Sequence, residues 1–242
     1  KIIMNRLLLP LFLIFAINVA FASERADHSK WTELLQKHVT KDGTVDYKGF
    51  MDDIEEFDEY LIELREKAPM KDWSKNEKKA FYINAYNAYT IKFIITKYPV
   101  DSPKDVKFSG KTLWEFRMVQ IGPQKYNLQQ VEDNILRRMG DPRIHFAINC
   151  GAKSCPKLLN EAYTPDKLNS QLTKVTKAFV QNPAHNTIKP KKVVISKIFE
   201  WYAEDFKENG GSVIKFLNEY GKVTVEDDAK IEYKEYNWDL NE

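Results

Sequence analysis

The chain is poor in cysteine: its 242 residues include 2, Cys150 and Cys155. So few exclude a disulfide-built scaffold and a four-cysteine zinc site. A surplus of one charge is also missing. The formal net charge of +2 excludes a broad nucleic-acid surface, which needs a basic excess to release counterions. No Gly/Ser-rich or Pro-rich stretch and no internal period divides residues 23–242, so one domain is expected. Beyond residue 22 there is no long apolar run, so no membrane span is expected in the mature chain. What is present is apolar material, at 43% of residues. That is ample for a real core and too much for a disordered tail protein.

The first 22 residues stand apart. Lys1 and Arg6 precede an uncharged run from Leu7 to Ala22 that ends Ala20-Phe21-Ala22. A basic start, an apolar centre and a small-x-small ending form the pattern of a secretory signal peptide. Cleavage near Ala22 is expected, giving a periplasmic or secreted protein. Residues 1–22 hold two basic and no acidic residues, so the mature chain has 35 of each sign.

Helices are expected over Ser29 to Val39, Ile54 to Lys67, Ser74 to Tyr98, from Asn127 to Met139, Pro165 to Val180, Lys197 to Lys207 and Ser212 to Tyr220. Arg143 to Asn149 reads as a strand, because Ile144, Phe146 and Ile148 alternate with other residues. Thr187 to Lys189 and Val193 to Ile195 read as a hairpin, and Ile231 to Trp238 as a closing strand. Without regular βαβ alternation, the fold class is α+β: a single compact domain, several helices around a small, mainly antiparallel sheet, with a papain-like arrangement as one form of it. Aromatic residues such as Phe81 and Phe93 lie at helical core spacing and read as packing rather than as a ligand groove.

Two segments carry a resemblance. Residues 81–88 read Phe-Tyr-Ile-Asn-Ala-Tyr-Asn-Ala, and residues 145–158 read His-Phe-Ala-Ile-Asn-Cys-Gly-Ala-Lys-Ser-Cys-Pro-Lys-Leu. With Val131 to Arg137, Ile198 to Phe206 and Tyr236-Asn237-Trp238, the chain resembles the family called domain of unknown function 547. The resemblance implies an exported bacterial member and places the site around the two cysteines. It implies no settled reaction.

Cys150 and Cys155 are five residues apart. A thiolate nucleophile needs a base or a helix N-terminus to lower its pKa from about 8.5. Pro156 is placed to open a short helix capped by Cys155. His145 is the nearest base in sequence, yet five extended residues span about 16 Å, and His145 and Cys150 have opposite strand parity. They meet only if the strand ends early or bulges. Cys155, His38 or His185 offer other pairings. A Cys150–Cys155 disulfide and a pair of inert buried thiols stand beside the catalytic reading. A zinc site from His145, Cys150, Cys155 and Glu132 matches no zinc spacing, so neither metal nor cofactor is expected.

Glu132 and Asp205 share helical stripes with apolar residues and need cations, with Arg143 and His145 available. Asn84 and Asn87 lie three apart on α-helical spacing and must be satisfied if buried. The candidate catalytic residues are therefore Cys150, Cys155, His145, Glu132 and Asn84; the candidate binding residues are Asn87, Arg143 and Ser154. The leading reading is a thiol-dependent hydrolase or acyl transferase acting on a peptide or envelope polymer. The alternative is a non-enzymatic extracytoplasmic binding or scaffold module with a structural Cys150–Cys155 disulfide. Its partner, whether peptide, polymer or protein, is unknown.

Overall fold

The structure is a computed structural model that describes residues 25–208 and 211–242. The expected signal peptide lies outside the described residues.

Helix α1 (Ser29–His38) buries Trp31, Leu34, Leu35 and His38, a stripe at spacings of three and four. A short α2 (Tyr47–Asp52), absent from the sequence reading, is capped by Asp46, which accepts from the Gly49 N–H at 2.9 Å. Helix α3 (Ile54–Glu66) lays Phe57 and Tyr60 against Trp31, with stacked rings 5.7 and 5.4 Å apart.

Helix α4 (Lys75–Lys97) opens with a capping box between Ser74 and Glu77. Every residue from Ile83 to Ile91 is buried, so its middle runs through the centre of the fold and not along its surface. Its two buried amides are satisfied by backbone. Asn84 donates to the Tyr163 carbonyl at 2.8 Å and accepts from the Tyr163 N–H at 2.9 Å. Asn87 does the same to the Ala147 carbonyl (2.9 Å) and the Asn149 N–H (2.8 Å).

Two antiparallel hairpins follow, β1 (Lys107–Phe108) with β2 (Lys111–Thr112) and β3 (Val119–Ile121) with β4 (Gln124–Tyr126). The first turns on Ser109-Gly110, both at positive φ, the geometry that two-residue hairpin loops require. Asn127 and Gln130 then form a capping box for α5 (Leu128–Gln130). The chain continues as a π-helical stretch, Val131–Leu136, and a 3₁₀ turn, Arg137–Met139, closed by Gly140 in the left-handed region. The widened turns bury Glu132 with Val131 and Leu136.

The expected strand at residues 143–149 is not formed. Pro142–Phe146 is a 3₁₀ turn capped by the Asp141 side chain. Pro142 presets its first position, and Ile144, His145, Phe146, Ala147, Ile148 and Asn149 are all buried. Burial of both parities removes the basis for a strand. No helix starts at Pro156 either: residues 156–159 have no regular structure, so Cys155 caps nothing.

Helix α6 (Leu168–Val180) leads to β5 (Thr187–Lys189) and β6 (Lys192–Ile195), the expected hairpin. The expected helix from Lys197 shortens to α7 (Ile198–Trp201), followed by turns to Lys207. Ser212 caps α8 (Val213–Tyr220). The last strand, β7 (Lys230–Tyr233), stops earlier than expected and joins β6 in parallel, giving the order β5-β6-β7. Three of the four pairings are antiparallel, so the α+β reading holds. Apolar residues from all eight α-helices pack into one core. No described helix is long and apolar enough to cross a membrane.

Candidate functional site

Several elements converge on one cavity of about 570 Å³. The π-helical stretch contributes Glu132, the 3₁₀ turn His145, the following loop Cys150 and Cys155, and the C-terminal segment Tyr236 and Trp238. Trp201 and Tyr202, at the end of α7, close it.

His145 is 3% exposed. Its ring stacks on Tyr202, with centroids 3.9 Å apart. Its Nε2 lies 2.8 Å from Asp205 Oδ2. Arg137 grips the same carboxylate from Nε at 2.7 Å and Nη2 at 2.8 Å. Burial opposes ionisation of Asp205, but hydrogen bonds from Arg137 and His145 outweigh it and hold this carboxyl well below the usual range. An ionised carboxylate only accepts, so Nε2 carries the proton on that side. Nδ1 is then the atom free to exchange a proton.

Nδ1 faces Glu132 Oε1 across 4.0 Å. Both atoms are buried and neither has a hydrogen-bond partner among the described residues. The other Glu132 oxygen accepts from the Tyr86 hydroxyl at 3.3 Å. Burial pushes the Glu132 carboxyl above its ordinary pKa, against hydrogen bonding from Tyr202 and Tyr86 and the attraction of His145. Two carboxylates on one histidine are thus pushed in opposite directions, a pattern found where acid and base roles divide.

Cys150 and Cys155 form a disulfide with Cα atoms 6.2 Å apart. The Tyr236 hydroxyl lies 3.3 Å from the Cys150 sulfur and 3.2 Å from that of Cys155. The loop between them is tightly specified. Gly151 has φ +83°, and a Cβ there would stand 2.5 Å from Ile94 Cδ1. Asn149 spans the loop, donating to the Pro156 carbonyl and accepting from the Gly151 N–H, each at 2.8 Å. Lys153 and Ser154 donate backbone N–H groups to Asp239 and Asn237 carbonyls at 2.8 and 3.1 Å.

The structure therefore brings together His145, Glu132, Cys150 and Cys155 in one cavity wall. Strand parity no longer separates His145 from Cys150, because the strand is absent. Asn84, Asn87, Arg143 and Ser154 do not line the cavity. The two asparagines pin backbone, as described. Arg143 grips Asp141 at 2.9 and 3.0 Å and reaches Asn169 and Thr173 on α6. Ser154 accepts from the Asn237 N–H at 2.8 Å. His38 is paired with Asp53 at 2.6 Å, and His185 stacks on Phe179 beside a second cavity. Among the described residues no cluster of His, Cys, Asp and Glu has metal-holding geometry.

The sequence reading missed the aromatic wall. Phe81 and Phe93 are core, as expected, but Trp114, Trp201, Tyr202, Tyr236 and Trp238 gather at the cavity. The signal available was composition: Trp201-Tyr202 and Tyr236-Asn237-Trp238 stand in segments that carry the family resemblance.

No curated protein and no solved structure matches this chain. Residues 70–180 match the family model described as "Protein of unknown function, DUF547". That stretch holds Asn84, Asn87, Glu132, His145 and both cysteines, while Asp205 and the rings of α7 and the C-terminal segment lie beyond it. Through residues 70–180, the chain is similar to the DUF547 family of proteins of unknown function.

Proposed function

We propose that the cavity is the working site of an exported thiol-dependent hydrolase or acyl transferase that acts on a peptide or envelope polymer. The observation that carries this is the free, buried His145 Nδ1, oriented through Asp205 and Arg137 in the wall that holds the two sulfurs. A base held by a third group beside a candidate nucleophile is the arrangement nucleophilic catalysis uses. The nucleophile is the Cys150 thiol, released when an external dithiol reduces the disulfide to two thiols. Cys150 is partly exposed, whereas Cys155 is buried. His145 Nδ1 takes the thiol proton as sulfur bonds to the acyl carbon, then gives it to the departing amine or alcohol. Water or a second acceptor resolves the thioester. Export follows from the N-terminal signal pattern.

The test is alkylation of the phosphine-reduced protein at neutral pH, read by peptide mass. Cys150 is expected to react about ten times faster in the wild type than in H145Q, as thiolate formation without the base falls toward that of a free thiol. Equal rates overturn the proposal.

A second reading is favoured by the disulfide itself and by the backbone rungs that tie residues 151–154 to the C-terminal segment. In it, the bonded loop is a staple in a binding or scaffold module. It predicts that reduction lowers the unfolding midpoint and that neither thiol then reacts selectively.

A further inference from the structure

Charge and ring chemistry in the cavity say what it takes in. Its lining includes three carboxylates, Glu115, Glu132 and Asp133, and neither Lys nor Arg among the described residues. Asp133 is matched by Arg137 at 2.8 Å, but that guanidinium also serves Asp205. Glu115 is held by the Thr112 N–H and hydroxyl, which bring no charge. Glu132 has His145 at 4.0 Å, with Oε1 left as a buried acceptor lacking a donor. The cavity therefore carries a negative surplus.

Its rim is a cluster of aromatic rings. Tyr236 lies 4.9 Å from Trp201 and 4.7 Å from Trp238, and Trp114 packs edge-on to Trp238 at 5.8 Å. Trp201 is 46% exposed, an unusual state for so large a ring. Ring faces attract cations, most strongly when the cation is desolvated. Rings of this wall already do so: Lys104 Nζ sits 3.9 Å from the Trp238 centroid, and the Arg137 guanidinium 5.3 Å from that of Tyr202. Neither cation lines the cavity.

We infer that the cavity binds a primary ammonium group on its ligand, held between the rim rings and the Glu132 carboxylate. The inference rests on the reading of this cavity as the working site and names its substrate class: an amine-bearing chain. A neutral sugar would use the rings but leave the acidic surplus unmatched. An ammonium uses both and supplies the donor that Glu132 Oε1 lacks.

The experiment uses the oxidised protein, so it is independent of thiol reactivity. Tryptophan fluorescence is titrated with n-hexylamine, n-hexanol and a neutral disaccharide. Saturable binding of the amine, with the neutral probes about ten-fold weaker or silent, is expected. W201A, at an exposed position that leaves the core intact, and E132Q should each weaken the amine on the order of ten-fold. Equal binding of a neutral probe, or no binding of the amine, overturns the inference. If that happens while Cys150 still shows histidine-dependent alkylation, only the substrate class falls. A trialanine amide and an Nα-acetyl-lysine methylamide then separate the two sources of the group, a peptide N-terminus and a lysine side chain.

Discussion

At the scale of single residues, Glu132 shows what the site costs the fold. Its carboxyl is raised chiefly by burial. A raised carboxyl pKa means the folded state holds the proton more tightly than the unfolded one. No penalty exists where both are protonated, below about 4.5; stability then falls as pH rises through the folded value. E132Q removes the charge and still accepts from Tyr86 and Tyr202. It should raise the thermal midpoint by a few degrees at pH 7.5, with the two proteins converging toward pH 4. A lower midpoint at both pH values would show that the carboxylate is a structural partner of His145. That Glu132 was worth singling out was legible, since a charged residue stood on an apolar stripe. His145 was named in advance as a cation open to Asp205, and it pairs there. That the arginine would be Arg137, 68 residues away, and not Arg143, which turns to Asp141, was not legible.

At the scale of elements, legibility followed local chemistry. The start of α4 was readable at Ser74 and the start of α5 from Asn127 and Gln130, while α6 begins three residues after the expected Pro165. The stretch from Arg143 to Asn149 misled because apolar names alternated while burial did not. His145, Ala147 and Asn149 go inside too, drawn by Asp205 and Asn87 rather than by their own hydrophobicity. The loop after that turn is the element most sensitive to substitution. G151A forces a side chain onto φ +83° and toward Ile94 on α4. Strain of this kind costs about 1–3 kcal/mol. Urea unfolding should show that loss in the oxidised protein. A smaller loss in the reduced one would mean that the disulfide, and not the chain, imposes the conformation.

At the scale of the whole molecule, tertiary ion pairs decide how the fold meets acid. Lys79, on the central helix, is 5% exposed and ends on Asp141 at 2.6 Å. Asp141 also holds Arg143 and caps the turn that positions His145. Burial raises the Asp141 carboxyl, yet hydrogen bonds from Arg143 and Lys79 prevail and bring it from 3.8 down to about 2. A lowered carboxyl pKa contributes stability above the unfolded value and loses it as pH falls through the folded one. Each pKa unit is worth about 1.4 kcal/mol, so this one residue should take roughly 2 kcal/mol with it between about pH 4 and pH 2. Asp205, held lower still, adds to the same acid limb. D141N should flatten that limb, measured by urea unfolding across the range. The variant should also be weaker at neutral pH by about 3–5 kcal/mol, because it leaves Lys79 charged and buried without its partner. K79M/D141N removes both charges and should recover much of the neutral-pH loss while keeping the flattened limb. A double variant as weak as D141N would place the cost in the lost cap and in Arg143, not in the stranded lysine.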